Sequence, residues 1–143
     1  MSKKEIEIFK IGHEAVITAI DDVLQNLRSY LHARPKVREF NNVVLMHLSR
    51  QNKAMYDHLN EYYAQDREAQ KMLEFLLHDL KDIKIKYLIF TDKHSGEMAD
   101  ISYRSFPKEF IEFSREIISR IKMEEEYLFP LLSEVPVLKA LQE

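Results

Sequence analysis

Cysteine is absent from the 143 residues, which excludes disulfides, thiolate metal sites, iron–sulfur clusters and cysteine nucleophiles together. Glycine occurs twice and proline four times. Sheets joined by tight turns normally need more of both, so the composition argues against an all-β fold. With so little glycine, loops that cradle phosphates are excluded as well. The sequence also lacks a long apolar run. The longest candidate, around Tyr87–Phe90, is far shorter than the roughly twenty residues a membrane helix needs. No apolar run follows the N-terminal Met-Ser-Lys-Lys-Glu-Ile-Glu, so the expectation is a soluble, cytoplasmic protein without a signal peptide. The formal net charge of -3 gives no general footprint for nucleic acid.

What is present suits amphipathic helices: 45% hydrophobic and 31% charged residues, in a chain the size of one domain spanning 1–143. Apolar residues recur at spacings of three and four. The first stripe is Ile6, Phe9, His13, Val16/Ile17, Ile20, Leu24 and Leu27, and predicts a helix over about 4–30. Pro35 has the backbone angle suited to a first turn, so a second helix is expected over about 35–64, with Phe40, Val44, His47, Gln51, Met55 and Leu59 inward. A third, over about 66–91, carries Met72, Phe75, Leu76, His78, Leu80, Ile83, Tyr87 and Phe90. Thr91 to Ser105 is the one long irregular stretch, with its turn at Ser95-Gly96. A fourth helix over about 106–133 has Phe110, Phe113, Ile117, Arg120, Glu124, Leu128 and Leu131 inward, bends near Pro130 and is ended by Pro136. The expected fold is all-α, an antiparallel up-down four-helix bundle.

The stripes are interrupted by polar residues: His13, His47, Gln51, His78, Arg120 and Glu124. Two pairs are spaced by four, one helical turn and therefore one face. Residues equidistant from a loop centre lie side by side in an up-down bundle, and by that rule all six fall at one level. Burying such groups costs free energy unless each finds a partner, so their gathering has to be explained. The segment from Val44 to Leu59 also aligns without gaps on Ile117 to Leu132. His47 then meets Arg120, Gln51 meets Glu124, and Tyr56 meets Phe129. The other two helices each carry one inward histidine followed by an acid, His13-Glu14 and His78-Asp79, so the chain reads as two helix pairs with a repeated polar device.

These residues resemble the hemerythrin-like family of cation-binding (HHE) four-helix bundles. The most specific part is Arg120-Ile-Lys-Met-Glu124-Glu125-Glu126-Tyr-Leu-Phe-Pro130-Leu-Leu, against the family's His, three residues, Glu-Glu, two residues and Leu-Phe-Pro. The resemblance runs from His13 to Leu132. It implies a bundle around a non-haem di-iron site and roles in oxygen binding or sensing, iron handling, or oxidative and nitrosative stress. Carried over, the family ligands are His13, His47, Gln51, His78, Arg120 and Glu124. Two depart from the pattern: Gln51 is a neutral residue where the family has a bridging carboxylate, and Arg120 has no lone pair to offer a metal.

Four usable metal ligands remain: His13, His47, His78 and Glu124. They suit one ion of non-haem iron or zinc with a place for a small diatomic ligand, oxygen or nitric oxide. The alternative is a metal-free layer in which Arg120 pairs with Glu124 and the protein serves as a regulatory or protein-interaction bundle, as monomer or homodimer. An enzyme, such as a di-iron oxidase or an iron–sulfur repair factor, is the weakest reading, because Gln51 replaces the carboxylate bridge. Templates for other catalysis are missing: Glu-x-x-His pairs, His-Glu-x-x-His and a nucleophile elbow are all absent. His32, His58 and His94 fall outside the layer, with His94 in the long loop beside Asp92 and Asp100. Lys81, Lys84 and Lys86 read as a solvated basic face.

Overall fold

The computed structural model describes residues 3–94 and 104–135. Of these, 89% are helical and none is in a strand, which makes the protein all-α, as its composition implies. The elements are α1 (Lys3–Leu24), α2 (Tyr30–Arg50), α3 (Lys53–Tyr62), α4 (Arg67–His94), α5 (Phe106–Met123), a π-helical turn (Glu124–Leu128) and α6 (Phe129–Glu134). Four long helices build the core, with α3 prolonging α2 and α6 prolonging α5. Ser95-Gly96, Asp100 and Pro136 lie outside the described residues.

The helix ends differ from expectation for local reasons. α1 stops at Leu24, and the chain turns over 25–28, where Asn26 bonds back to the Val23 carbonyl three residues earlier. α2 begins at Tyr30, ahead of Pro35, which lies inside the helix. The first four N–H groups of a helix have no intrahelical partner, so a proline at the sixth position removes only one further bond. α2 and α3 are not continuous. Gln51 (φ -91°, ψ 82°) leaves the helical region, and Asn52 restarts the helix by accepting a bond from Met55 N at 2.9 Å. Asp66 caps α4 in the same manner through Ala69 N. α4 runs on to His94, past the expected end at 91, so His94 is a buried helical residue instead of a loop residue.

The last helix continues through Pro130, with the local distortion placed ahead of that residue. Phe129 N bonds to the Glu124 carbonyl five residues back, a widened turn. Proline lacks the N–H of an α-helical ladder, and its ring crowds the carbonyl four residues before it. A widened turn directly ahead of Pro130 relieves both problems. The internal repeat is visible in burial as well as sequence: Val44, Leu48, Met55, Tyr56 and Leu59 are buried, and so are Ile117, Ile121, Leu128, Phe129 and Leu132. Each copy breaks its α-helix at the same place, Gln51 in one and Glu124 in the other.

Two zones fill the interior. One is aromatic: Phe40, Phe90, Phe106, Phe110 and Phe113 are buried, with ring centroids 5.0 Å apart for Phe40–Phe110 and 4.8 Å for Phe90–Phe113. The other is polar and is built around Glu124. α1 packs most extensively on α2. α4 and α5 are tied along their lengths by Asp79–Arg120 (3.2 Å), Lys86–Glu116 (3.0 Å) and Lys93–Glu109 (2.5 Å).

Candidate functional site

Glu124 has no exposed surface, and Arg120, one turn before it, is 2% exposed. The carboxylate has four directions in which it can accept hydrogen bonds, and all four are used. Oε1 accepts from His13 Nε2 (2.7 Å) and His47 Nε2 (2.8 Å). Oε2 accepts from Gln51 Nε2 (2.5 Å) and Arg120 Nε (2.7 Å). Burial alone would raise the pKa of this acid. The donors from His13 and His47 and the charge of Arg120 overcome that and hold it well below the usual carboxylate range.

Arg120 is matched just as completely. Its Nε–H goes to Glu124, Nη1 donates to the Leu76 carbonyl (2.8 Å) and Asp79 Oδ2 (3.2 Å), and Nη2 donates to Gln51 Oε1 (2.7 Å) and the Tyr56 hydroxyl (3.2 Å). Five donors meet five acceptors. Gln51 thus bridges anion and cation, its amide nitrogen on Glu124 and its oxygen on Arg120. Its side chain lies on the inward face of His47, one turn earlier, and the break in the helix there leaves its carbonyl to accept from Lys84 Nζ at 3.3 Å.

The π turn has a second consequence. Neighbouring residues of an α-helix point about 100° apart, yet Glu124 and Glu125 both reach the ring of His13. Nε2 is bonded to Glu124 and Nδ1 to Glu125 Oε1 at 3.0 Å. Ionised carboxylates only accept, so both ring nitrogens carry protons and the ring is an imidazolium. Burial lowers the pKa of His13, and the bonds to Glu124 and Glu125 more than reverse it, leaving a raised value. The ring lies stacked on Phe129, 5.1 Å between centroids. His47 is satisfied on one side only: Nδ1 is buried with no hydrogen-bond partner.

Of the residues singled out from sequence, the structure gathers His13, His47, Gln51, Arg120 and Glu124. His78 is exposed and lies on the rim of a surface groove with Phe75, Asp79 and Asp82. The reason is helical geometry. The buried face of α4 is Ala69, Leu73, Leu76, Leu80, Ile83, Tyr87 and Phe90, and His78, two residues from both Leu76 and Leu80, points about 200° away. α4 enters the layer through the Leu76 carbonyl and Asp79, the acid of the His78-Asp79 pair. Asp79, Tyr56 and Glu125 were not foreseen. Tyr56 had one signal, its position in the repeat opposite Phe129.

The layer does not fit a dinuclear iron centre. Its acid has every acceptor direction taken by protein donors, Arg120 supplies positive charge and no lone pair, and His78 lies outside. A smaller cluster survives: one ligand atom each from His13, His47 and Glu124 lie within 4.8 Å of one another, all buried. Two atoms each about 2.1 Å from a tetrahedral ion stand about 3.4 Å apart, against the 2.7 and 2.8 Å seen here. An ion would have to displace both bonds and the His13 proton. Compared with protein-family models, curated proteins and solved structures, the chain finds no match.

Proposed function

We propose that the chain is a hemerythrin-like, antiparallel up-down bundle in which a guanidinium takes the place of the metal. On this reading it works as a regulatory or protein-interaction module, neither an oxidase nor an oxygen carrier. The observation that carries the reading is the mutual saturation of Arg120 and Glu124, five donors and four acceptor directions with none left over. A buried cation is tolerated when it is paired and fully hydrogen-bonded, and such a layer holds four helices in one register without an ion. The antiparallel arrangement is supported by the order of cross-helix pairs: as α4 advances from Asp79 through Lys86 to Lys93, its partners on α5 fall from Arg120 through Glu116 to Glu109. No helix among the described residues is long and apolar enough to cross a membrane, in keeping with a cytoplasmic location as part of the same proposal.

The test is metal content. Protein expressed with added iron and purified without chelator or affinity tag should carry far less than one iron or zinc per chain. Its melting temperature should not respond to Fe²⁺, Zn²⁺ or chelator. One ion per chain, lost in His47→Ala, would overturn the reading. That outcome would favour a second one, a single ion on His13, His47 and Glu124 serving as a sensor of oxygen or nitric oxide, which the compact cluster of three ligand atoms supports.

A further inference from the structure

α4 has two faces. Leu76, Leu80, Ile83, Tyr87 and Phe90 are buried. On the solvent side runs a second stripe, Lys81, Ile85, Leu88 and Asp92, spaced four, three and four so that it forms one ridge. All four are exposed, Ile85 at 57% and Leu88 at 63%, with Ile89 at 64% beside them. Single exposed aliphatic residues are ordinary, but three on adjacent turns form a patch that water disfavours. The ridge is apolar in the middle, basic at one end and acidic at the other. Neighbouring charges are paired within the chain, Lys86 with Asp82 and Glu116, and Lys93 with Glu109. Lys81 and Asp92 have no ion pair among the described residues.

We propose that this ridge binds a second copy of the chain, α4 against α4 and antiparallel, about a twofold axis passing between Lys86 and Tyr87. In that register Ile85 packs on Leu88 of the second copy and Leu88 on its Ile85. Lys81 faces Asp92 of the second copy at one end, and the same pair forms again at the other. Each chain thus supplies both the cation and the anion, as a self-complementary interface requires. A parallel pairing would set Lys81 on Lys81 and Asp92 on Asp92, so the charges select the direction. The ridge spans about 17 Å of helix at 1.5 Å per residue. A contact of that length buries less than the roughly 1,200 Å² of a stable interface, so the dimer is reversible, with a Kd of about 10–100 µM. The ridge faces solvent and shares no residue with the buried layer, so the inference stands whether or not a metal is bound.

Sedimentation velocity on the full chain at low salt, from about 5 to 500 µM, tests it. The mass should rise with concentration from 17.1 kDa toward a dimer. Leu88→Glu should remain monomeric throughout. Lys81→Glu and Asp92→Lys should each weaken the dimer at least about tenfold, since each brings like charges together at both ends. The two charge changes combined should restore the Kd to within about threefold of the original, because opposite charges again face one another. These are surface positions, and unchanged melting curves will exclude misfolding. A chain that is monomeric at the highest concentration, a dimer that survives Leu88→Glu, or a double charge exchange that fails to recover would each overturn the proposal.

Discussion

The two interior zones reach stability by different routes. In the aromatic zone Phe40, Phe90, Phe106, Phe110 and Phe113 meet at stacked, tilted and T-shaped angles. There the gain is apolar area removed from water, and any well-shaped apolar side chain recovers much of it. In the polar zone the gain depends on matching. Glu124 and Arg120 lose their hydration entirely and recover it only because His13, His47, Gln51, Tyr56, Asp79 and the Leu76 carbonyl stand where each hydrogen bond needs them. The first zone tolerates approximation, while the second fails when one partner is lost. Packing therefore makes a stable bundle, and the polar layer makes it a bundle of one register.

The largest expected effects come from unbalancing that layer. Glu124→Leu takes from Arg120 and the His13 imidazolium the one fully buried carboxylate they share, leaving only the more exposed Asp79 and Glu125, and should cost about 3–5 kcal/mol. Arg120→Met removes the cation and should cost about as much. Because each leaves the other stranded, the double variant should fall well short of the sum. Phe40→Leu in the aromatic zone should cost only about 1–2 kcal/mol, and should add to Arg120→Met, with which it shares no partner. Urea unfolding followed by circular dichroism measures all five variants, the two doubles included. Additive losses for Arg120 and Glu124 would mean that they do not act as one unit, and the contrast between the zones would fail.

The same contrast explains how much could be read from sequence. Three- and four-residue spacing locates the helices because burial repeats along them, and it placed Phe40, Phe110 and Phe113 correctly inside. Periodicity is less sharp about face when a stripe mixes residues two apart, so His78, between Leu76 and Leu80, reads as inward from spacing alone although it is exposed. The break at Gln51 was hidden because Asn52 acts as a cap only where the chain leaves the helix, a choice made by the packing of the whole layer. Tyr56, Asp79 and Glu125 were hidden for a related reason: hydrogen-bond partners are chosen by geometry in three dimensions, and only the repeat hinted at one of them. The π turn could be anticipated in part, as a bend near Pro130, but not its effect of turning two consecutive glutamates onto one imidazole.

A second way to separate the zones is pH, since His13 and Glu124 titrate while the five phenylalanines of the aromatic zone do not. The raised pKa of His13 means that its contribution is fully present below its unfolded value near 6.5 and is lost as pH rises through the folded value. Glu124, held well below the usual range, contributes above its unfolded value near 4.5, and this is lost as the pH falls below that point toward the folded value. Urea midpoints should therefore peak between about pH 5 and 6.5 and decline on the alkaline side. His13→Gln should flatten the alkaline decline, while Phe40→Leu lowers the whole curve without changing its shape. An alkaline limb that persists in His13→Gln would assign it to another group.

The smallest effect asks how firmly the polar zone holds its shape. Gly12 lies inside α1, and a Cβ there would come 3.1 Å from Arg50 Nη1 and 3.3 Å from His47 Nδ1. Alanine gains about 1 kcal/mol over glycine in a helix interior, so the sign depends on what must move. The guanidinium of Arg50 is the far end of a flexible, half-buried side chain and can swing aside. His47 cannot move as easily, because Nε2 is anchored on Glu124. Gly12→Ala in the native background should change stability by less than about 0.5 kcal/mol, the helical gain offsetting the displacement. In an Arg50→Ala background it should stabilise by about 0.5–1 kcal/mol, leaving only the shift of His47, a few tenths of an ångström, to offset the gain. A loss of about 2 kcal/mol or more in both backgrounds would show instead that His47 does not yield at all.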